Sequence, residues 1–303
     1  MIEDHRRVAD ALTRALKLSG ARTREAALAL PGSAVITKRI TLPAGLKEEE
    51  YELQVESEAS NYIPFPIEEV NLDFQVLGPV ANSDDDVEVL LAAARKEKVE
   101  DRVAVAEMAG LKPMVMEVEP YAARASVDYV ASMMPSKGDG QIVALFDIGQ
   151  TLTGMTVMLN GQTIFERQQT IGGQQLTQDI RRMYGLTPEE AEVKKRTGDL
   201  PENYEHELLM PFLEQTAVEL SRALQFFYTS TPYTRVDKVF LAGGSAVLPD
   251  LPDVIASRLD VEVGLISPFQ GMEIANSVRE KHLRRDAPSL LVSCGLAMRR
   301  FAA

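Results

Sequence analysis

The chain has 303 residues, 45% of them hydrophobic and 25% charged, with a net charge of −13. That profile fits a globular protein of two lobes, and without a basic block it excludes a nucleic-acid groove. The single cysteine, Cys294, excludes internal disulfides and a cysteine metal cluster, and no apolar run approaches the roughly 20 residues that span a bilayer. From the N-terminus, residues 2–18 predict an amphipathic helix with Val8, Leu12, Ala15 and Leu16 on one stripe and Gly20 as its stop. Short strands follow at 25–30 and 35–42, with Pro31-Gly32 turning between them. Residues 46–62 predict a helix. Residues 71–77 and 87–91 alternate as strands, Leu72, Phe74 and Val76 against Asp73 and Gln75, on either side of the charged turn Asp84-Asp85-Asp86. A helix over 97–109 closes this mixed unit. Met114, Met116 and Val118 then predict a strand that runs into Glu119-Pro120-Tyr121-Ala122-Ala123-Arg124-Ala125, a helix with proline in its first turn. Residues 135–140 form the one clear linker.

The second half opens on a continuous apolar strand at 142–146, expected to be buried on both faces. Strands at 153–158 and 162–167 flank Asn160-Gly161, a strong hairpin signal. Thr170-Ile171-Gly172-Gly173 leads into a helix through Ile180. Thr187-Pro188-Glu189-Glu190 starts another, with threonine as cap and Glu190 reaching back. A long helix over 213–228 precedes a strand that ends at Gly243-Gly244, and a last helix runs from 288 to 300. His5, His206 and His282 are scattered among charged residues and are expected on the solvated surface. With charged first residues in place of a signal segment, the protein is expected in the cytoplasm, without direct membrane insertion and attached to a membrane only through a partner.

Two turns carry candidate chemistry. Phe146-Asp147-Ile148-Gly149-Gln150-Thr151 and Phe240-Leu241-Ala242-Gly243-Gly244-Ser245 each run a hydrophobic strand into a small, hydroxyl-bearing turn. An Asp-x-Gly-x-Thr strand end offers a carboxylate to a magnesium-bound water and lets backbone approach a phosphate. Gln150, Thr151 and Thr153 are the candidate phosphate donors, because phosphoryl chemistry is mostly positioning and charge neutralisation. Glu119, at the end of its strand, could orient an attacking water or simply start a helix. Gly172-Gly173 could favour an anion at a helix N-terminus or form an ordinary turn. Glu192, Lys195 and Arg196 share one helical face, as a ligand surface or as a solvated one. The small residues Ala122, Ala123 and Ala125 on one helix, and Ser293, Gly295 and Ala297 on another, suit a close crossing at a hinge.

Together these stretches resemble the actin-like ATPase superfold. Glu119-Pro120-Tyr121-Ala122-Ala123 and the Glu192-x-x-Lys195-Arg196 face are similar to stretches of DnaK-type chaperones, in which the latter holds ribose and adenine. With those two stretches, the Asp147 turn, Gly172-Gly173 and Gly243-Gly244-Ser245 look like the branch containing FtsA and PilM. Ala34-Val35-Ile36-Thr37-Lys38 and Tyr62-Ile63-Pro64-Phe65-Pro66-Ile67-Glu68-Glu69-Val70 resemble the PilM family of type IV pilus assembly specifically.

The resemblance implies an α/β, actin-like (ribonuclease H-like) two-lobed fold with a small inserted α+β subdomain. Residues 1–24 would be a remnant of the first lobe, 25–113 the insertion, 114–140 the first-lobe strand and connecting helix, 141–287 the second lobe and 288–303 the C-terminal connecting helix. It implies ATP and Mg2+, with Asp147 as metal residue, Glu119 and Asp147 at any weak ATPase chemistry, and Asp147, Gly149, Gln150, Thr151, Thr153, Gly172, Gly173, Glu192, Lys195, Arg196, Gly243, Gly244 and Ser245 around the nucleotide. It implies as partner the N-terminal cytoplasmic peptide of the membrane protein PilN within the inner-membrane alignment complex, captured near Val35, Tyr62, Ile63 and Phe65. A second copy of the chain is a further candidate partner, and nucleic acid is not one. An FtsA-like division protein and a small-molecule kinase of the same superfold are the alternatives. Family members begin with a strand and hairpin bearing a first phosphate loop, which would precede Met1. Weak nucleotide binding and poor solubility are therefore expected of the chain as written.

Overall fold

The computed structural model describes residues 2–80, 83, 85–134, 138–276 and 278–299. Asp84 of the expected acidic turn, 135–137 of the expected linker and 300–303 of the expected C-terminal helix lie outside the described residues. The chain divides into two compact units, Met1–Ala122 and Ala123–Ala303.

In the first unit, α1 (His5–Ser19) is capped by Asp4, whose side chain accepts from Arg7 N at 2.9 Å, and it closes on Gly20. β1 (Glu25–Leu30) pairs in parallel with β5 (Lys112–Val118). A parallel pair needs a long crossover. Here the crossover contains a whole second sheet of β2 (Val35–Pro43), β3 (Val70–Pro79) and β4 (Asp86–Arg95), antiparallel in the order β2-β4-β3. Val87, Val89, Leu91 and Ala93 alternate along β4 onto one face, where α2 (Glu48–Ala59) buries Tyr51, Val55 and Ala59. α3 (Lys96–Met108) packs against α1 and β5. His5 is not merely solvated: its Nε2 lies 3.0 Å from Asp101 Oδ1 and ties α1 to α3.

The stretch expected as one insertion, 25–113, is thus shared between two sheets. Alternation along a sequence reveals a strand but not its partner. β1 therefore gives no local sign that it joins β5 rather than β2, the strand it leads into through Pro31-Gly32.

α4 (Glu119–Ala131) begins in the first unit, and its residues from Ala123 onward belong to the second. The second unit is built on five strands in the order β10-β9-β6-β7-β8: β6 (Ile142–Ile148), β7 (Thr153–Leu159), β8 (Gln162–Gln169), β9 (Lys238–Ala242) and β10 (Glu262–Leu265). β7 and β8 meet at Asn160-Gly161, where φ values of 51° and 72° give the left-handed pair that a two-residue hairpin requires. β6 is covered on both sides. Ile142, Ala144, Phe146 and Ile148 enter a core with α5 (Gly173–Tyr184), α6 (Pro188–Thr197), α7 (Met210–Ser230) and α8 (Leu251–Leu259). Val143 and Leu145 enter another with α4 and α10 (Leu291–Met298), numbering α9 (Glu280–Asp286) between. Ser126 Oγ donates to Leu291 O at 2.8 Å, joining the two small-residue helices expected to cross closely.

Candidate functional site

Asp147 is opposite Ala242 in the parallel β6–β9 ladder, so the turns leaving these strands emerge side by side. Gly243 takes φ +89°, and a Cβ there would come within 2.5 Å of Asp147 Oδ1 and of Ile148 O. Only glycine allows both the backbone conformation and the approach. Ser245 N donates to Ile148 O (3.1 Å) and Ser245 Oγ to Gly149 O (3.1 Å), which stitches the second turn to the first. The Asp147 carboxyl is half-buried, and that burial raises its pKa. Gln150, Thr151 and Gly244 are exposed along the same turns.

The start of α5 is fastened into this corner. Gly173 N donates to Gly149 O (3.0 Å) and Gln174 N to Gln150 O (2.7 Å). A Cβ on Gly172 would clash with the Gln150 carbonyl, and one on Gly173 with Ser245 Oγ. The expectation that Gly172-Gly173 offers amides to an anion therefore meets a different arrangement. The amides of Gly173 and Gln174 are engaged by carbonyls of the Asp147 turn, so the glycines serve close packing. Thr153, expected as a phosphate donor, is fully buried and gives its hydroxyl proton to Ile171 O (2.8 Å).

α6 brings Glu192 and Lys195 against α5. Lys195 Nζ lies 2.7 Å from Glu192 Oε2, 2.7 Å from Thr177 Oγ1 and 3.2 Å from Gly173 O. Thr177 Oγ1 in turn lies 2.8 Å from Glu192 Oε2. Burial pushes the Glu192 pKa up, but hydrogen bonds from Lys195 and Thr177, with the charges of Lys195 and Arg196, outweigh it and hold the carboxyl below its ordinary value. Thr177 was absent from the sequence-derived set. Its one signal is a hydroxyl four residues beyond Gly173, the spacing that lets it reach the Gly173 carbonyl. Asp147, Gly149, Gln150, Thr151, Thr153, Gly172, Gly173, Glu192, Lys195, Arg196, Gly243, Gly244 and Ser245 all belong to the second unit. Glu119 opens α4 at the end of β5 in the first.

A family model described as type IV pilus assembly protein PilM matches residues 1–301. The chain belongs to this family. Its fold is that of a solved PilM–PilN type IV pilus biogenesis complex, with a TM-score of 0.82 and 28% identity over 99% of this chain and 86% of that one. The ethanolamine utilization protein EutJ of Carboxydothermus hydrogenoformans aligns at a TM-score of 0.55 and 17% identity, over 98% of this chain and 75% of that one. MreB5 of Spiroplasma citri bound to ADP aligns at 0.50 and 13%, over 100% and 77%. The last two likenesses are of fold, which is the actin-like one.

The residues expected near a PilN tail divide in this PilM-family chain. Tyr62 and Phe65 are exposed, with Lys38 Nζ 5.1 Å from the Tyr62 ring centre and Arg95 Cζ 5.1 Å from that of Phe65. Val35 begins β2 opposite Ala94 and is half-buried. Ile63 is a core residue beneath α2, packed with Val55, Ala59 and Val70. Alternation through the proline turn sends one of the two neighbours in, the other out.

Proposed function

We propose that this chain is a nucleotide-binding scaffold of type IV pilus assembly, holding ATP at the turns of its second unit and the N-terminal tail of PilN on its first. The observation that carries the nucleotide reading is the convergence of the Asp147 turn, the Gly243-Gly244-Ser245 turn and the Glu192 helix within one unit. Exposed Gln150 and Thr151 would donate to phosphate oxygens, and Glu192 and Arg196 would face ribose and base. Among the described residues no three His, Cys, Asp or Glu side chains group to hold a metal. Mg2+ fits nonetheless, because it keeps several waters and asks for one or two carboxylates alongside substrate phosphates. Asp147 offers one, and burial makes its ionised form welcome a cation. Bound there, Mg2+ would neutralise phosphate charge.

The partner reading rests on family membership and on the solved PilM–PilN complex. Aromatic rings exposed in the turn between α2 and β3, at Tyr62 and Phe65, suit an extended apolar tail. No described helix is long and apolar enough to cross a membrane, and a PilN tail would bring the protein to the cytoplasmic face of the inner membrane.

Two titrations test the two halves separately. A fluorescent ATP analogue should bind with Mg2+ and lose affinity when EDTA is added. A synthetic PilN N-terminal peptide should bind the wild type and weaken about tenfold in Tyr62→Ala and Phe65→Ala, the scale of an aromatic hot spot. Unchanged peptide affinity in both variants would move the groove elsewhere.

A further inference from the structure

We propose that the second unit carries a receptor for an arginine side chain of another protein, in the cavity between the C-terminal half of α4, the turn at 138–141 and the Asn160-Gly161 hairpin. The cavity measures about 290 Å³ and lies at the opposite end of the sheet from the nucleotide turns, since β6 starts at its wall and ends beyond Asp147. Its floor is apolar, from Val127, Ala131, Val143 and Met158. Asp128 supplies a half-buried carboxylate to one side, and none of the described lining residues is Lys, Arg or His. Hydrogen bonds hold the mouth in shape. Gly140 N donates to Asn160 Oδ1 (2.8 Å), which fixes the 138–141 turn on the hairpin, and Gln141 N donates to Gly138 O (3.1 Å) within that turn. A Cβ on Gly161 would lie 3.7 Å from Asp128 Oδ1, so the glycine leaves the carboxylate uncovered. The amide oxygen of Gln141, another lining residue, is buried without a hydrogen-bond partner.

Such a lining has acceptors to offer and lacks a cation. Burial raises the Asp128 pKa, and the Arg124 guanidinium one helical turn away, with Nε 3.7 Å from Asp128 Oδ2, offsets this only in part. The carboxylate is therefore short of positive charge. A side chain with an apolar stem and a charged head fits both surfaces, its methylenes on the floor and its head on Asp128. Lysine and arginine both have this form. A guanidinium is more weakly hydrated than an ammonium and forks onto a carboxylate, so arginine loses less on entering a partly dry site. The net charge of −13 makes two copies of this chain repel and draws in a basic partner. Asp139, Asn160 and Gly161 are exposed around the mouth, which leaves room for the backbone that carries the arginine.

The test is an NMR titration of the whole chain with four probes: N-acetyl-arginine amide, N-acetyl-lysine amide, the neutral isostere N-acetyl-citrulline amide, and agmatine. The capped arginine should bind with a dissociation constant of about a millimolar and shift the amides of Gly140, Asn160 and Gly161. Asp128→Asn should weaken it about tenfold, the size of a hydrogen bond to a charged group. Arg124→Gln frees Asp128 from its internal competitor and should tighten binding about twofold, a gain that a merely structural role for Asp128 would not give. Absence of any saturable shift would overturn the proposal. So would citrulline amide binding as well as arginine amide, wild-type affinity in Asp128→Asn, or shifts confined to Gly149 and Gly244 at the nucleotide turns. Tighter binding of the lysine form would overturn the choice of arginine. Agmatine bound far more tightly than the capped residue would make this a small-molecule site. Self-association of the chain that Asp128→Asn abolishes would give the arginine to a second copy, against the proposal. If Asp128→Asn does not fold, Ala131→Leu decides by filling the floor, and unchanged affinity there sinks the cavity.

Discussion

Asp147 carries opposite demands for folding and for function. Burial raises its folded-state pKa, so the folded chain holds the proton more tightly than the unfolded one. Stability from this group is therefore fully present below the ordinary aspartate value of 3.8 and is lost as pH rises through the raised value. Asp147→Asn removes the desolvated charge. Without ligand it should raise the melting temperature at pH 7, and the gain should vanish below the ordinary aspartate range. Its Mg2+-dependent ATP affinity should fall at the same time. A variant less stable than wild type at pH 7 would mean that the ionised carboxylate has a stabilising partner. Glu192 shows the contrary sign: its lowered pKa gives stability present above the ordinary carboxylate range and lost as the pH falls.

At the scale of elements, α6 is the piece whose placement matters most for the candidate site. Its start was legible because Thr187 and Glu190 form a reciprocal capping box, with Thr187 N 2.9 Å from Glu190 Oε2 and Glu190 N 3.2 Å from Thr187 Oγ1. Thr187→Ala should lower stability by about 1 kcal/mol in denaturant titration. Because the cap lies at the far end of α6 from Lys195, ATP affinity should change by less than about twofold. A larger loss would show that the start of α6 also positions the Glu192 face. β6 was legible too, since an unbroken apolar run is what burial on both faces requires. β10, α8 and α9 carried no comparable signal.

Across the whole molecule, the two units have separate cores: Val55, Val89 and Leu91 beneath α2 in the first, Phe146, Leu213 and Phe227 in the second. The proposed ligands also divide, PilN tail to one and nucleotide to the other. Calorimetry should resolve two transitions. ATP at about 100 times its dissociation constant should stabilise the second unit by about 2.7 kcal/mol, and a saturating PilN peptide should shift the first. A single transition moved equally by either ligand would contradict this division.

What the sequence determined by itself was local. Hydrophobic period, caps, the Asn160-Gly161 turn and the two glycine-bearing strand ends are each read within a few residues of sequence, and they sufficed for most elements and for the family. The tertiary structure decided which polar groups remain available. Thr153 looked like a phosphate donor until Ile171 took its proton. The amides opening α5 looked free until the Asp147 turn engaged them. Ile63 looked like its neighbour Tyr62 until α2 covered it. Each outcome depends on a partner that the residue's own neighbourhood in sequence does not settle. A buried polar group must be satisfied wherever the fold brings an acceptor, and an apolar one goes where the fold excludes water.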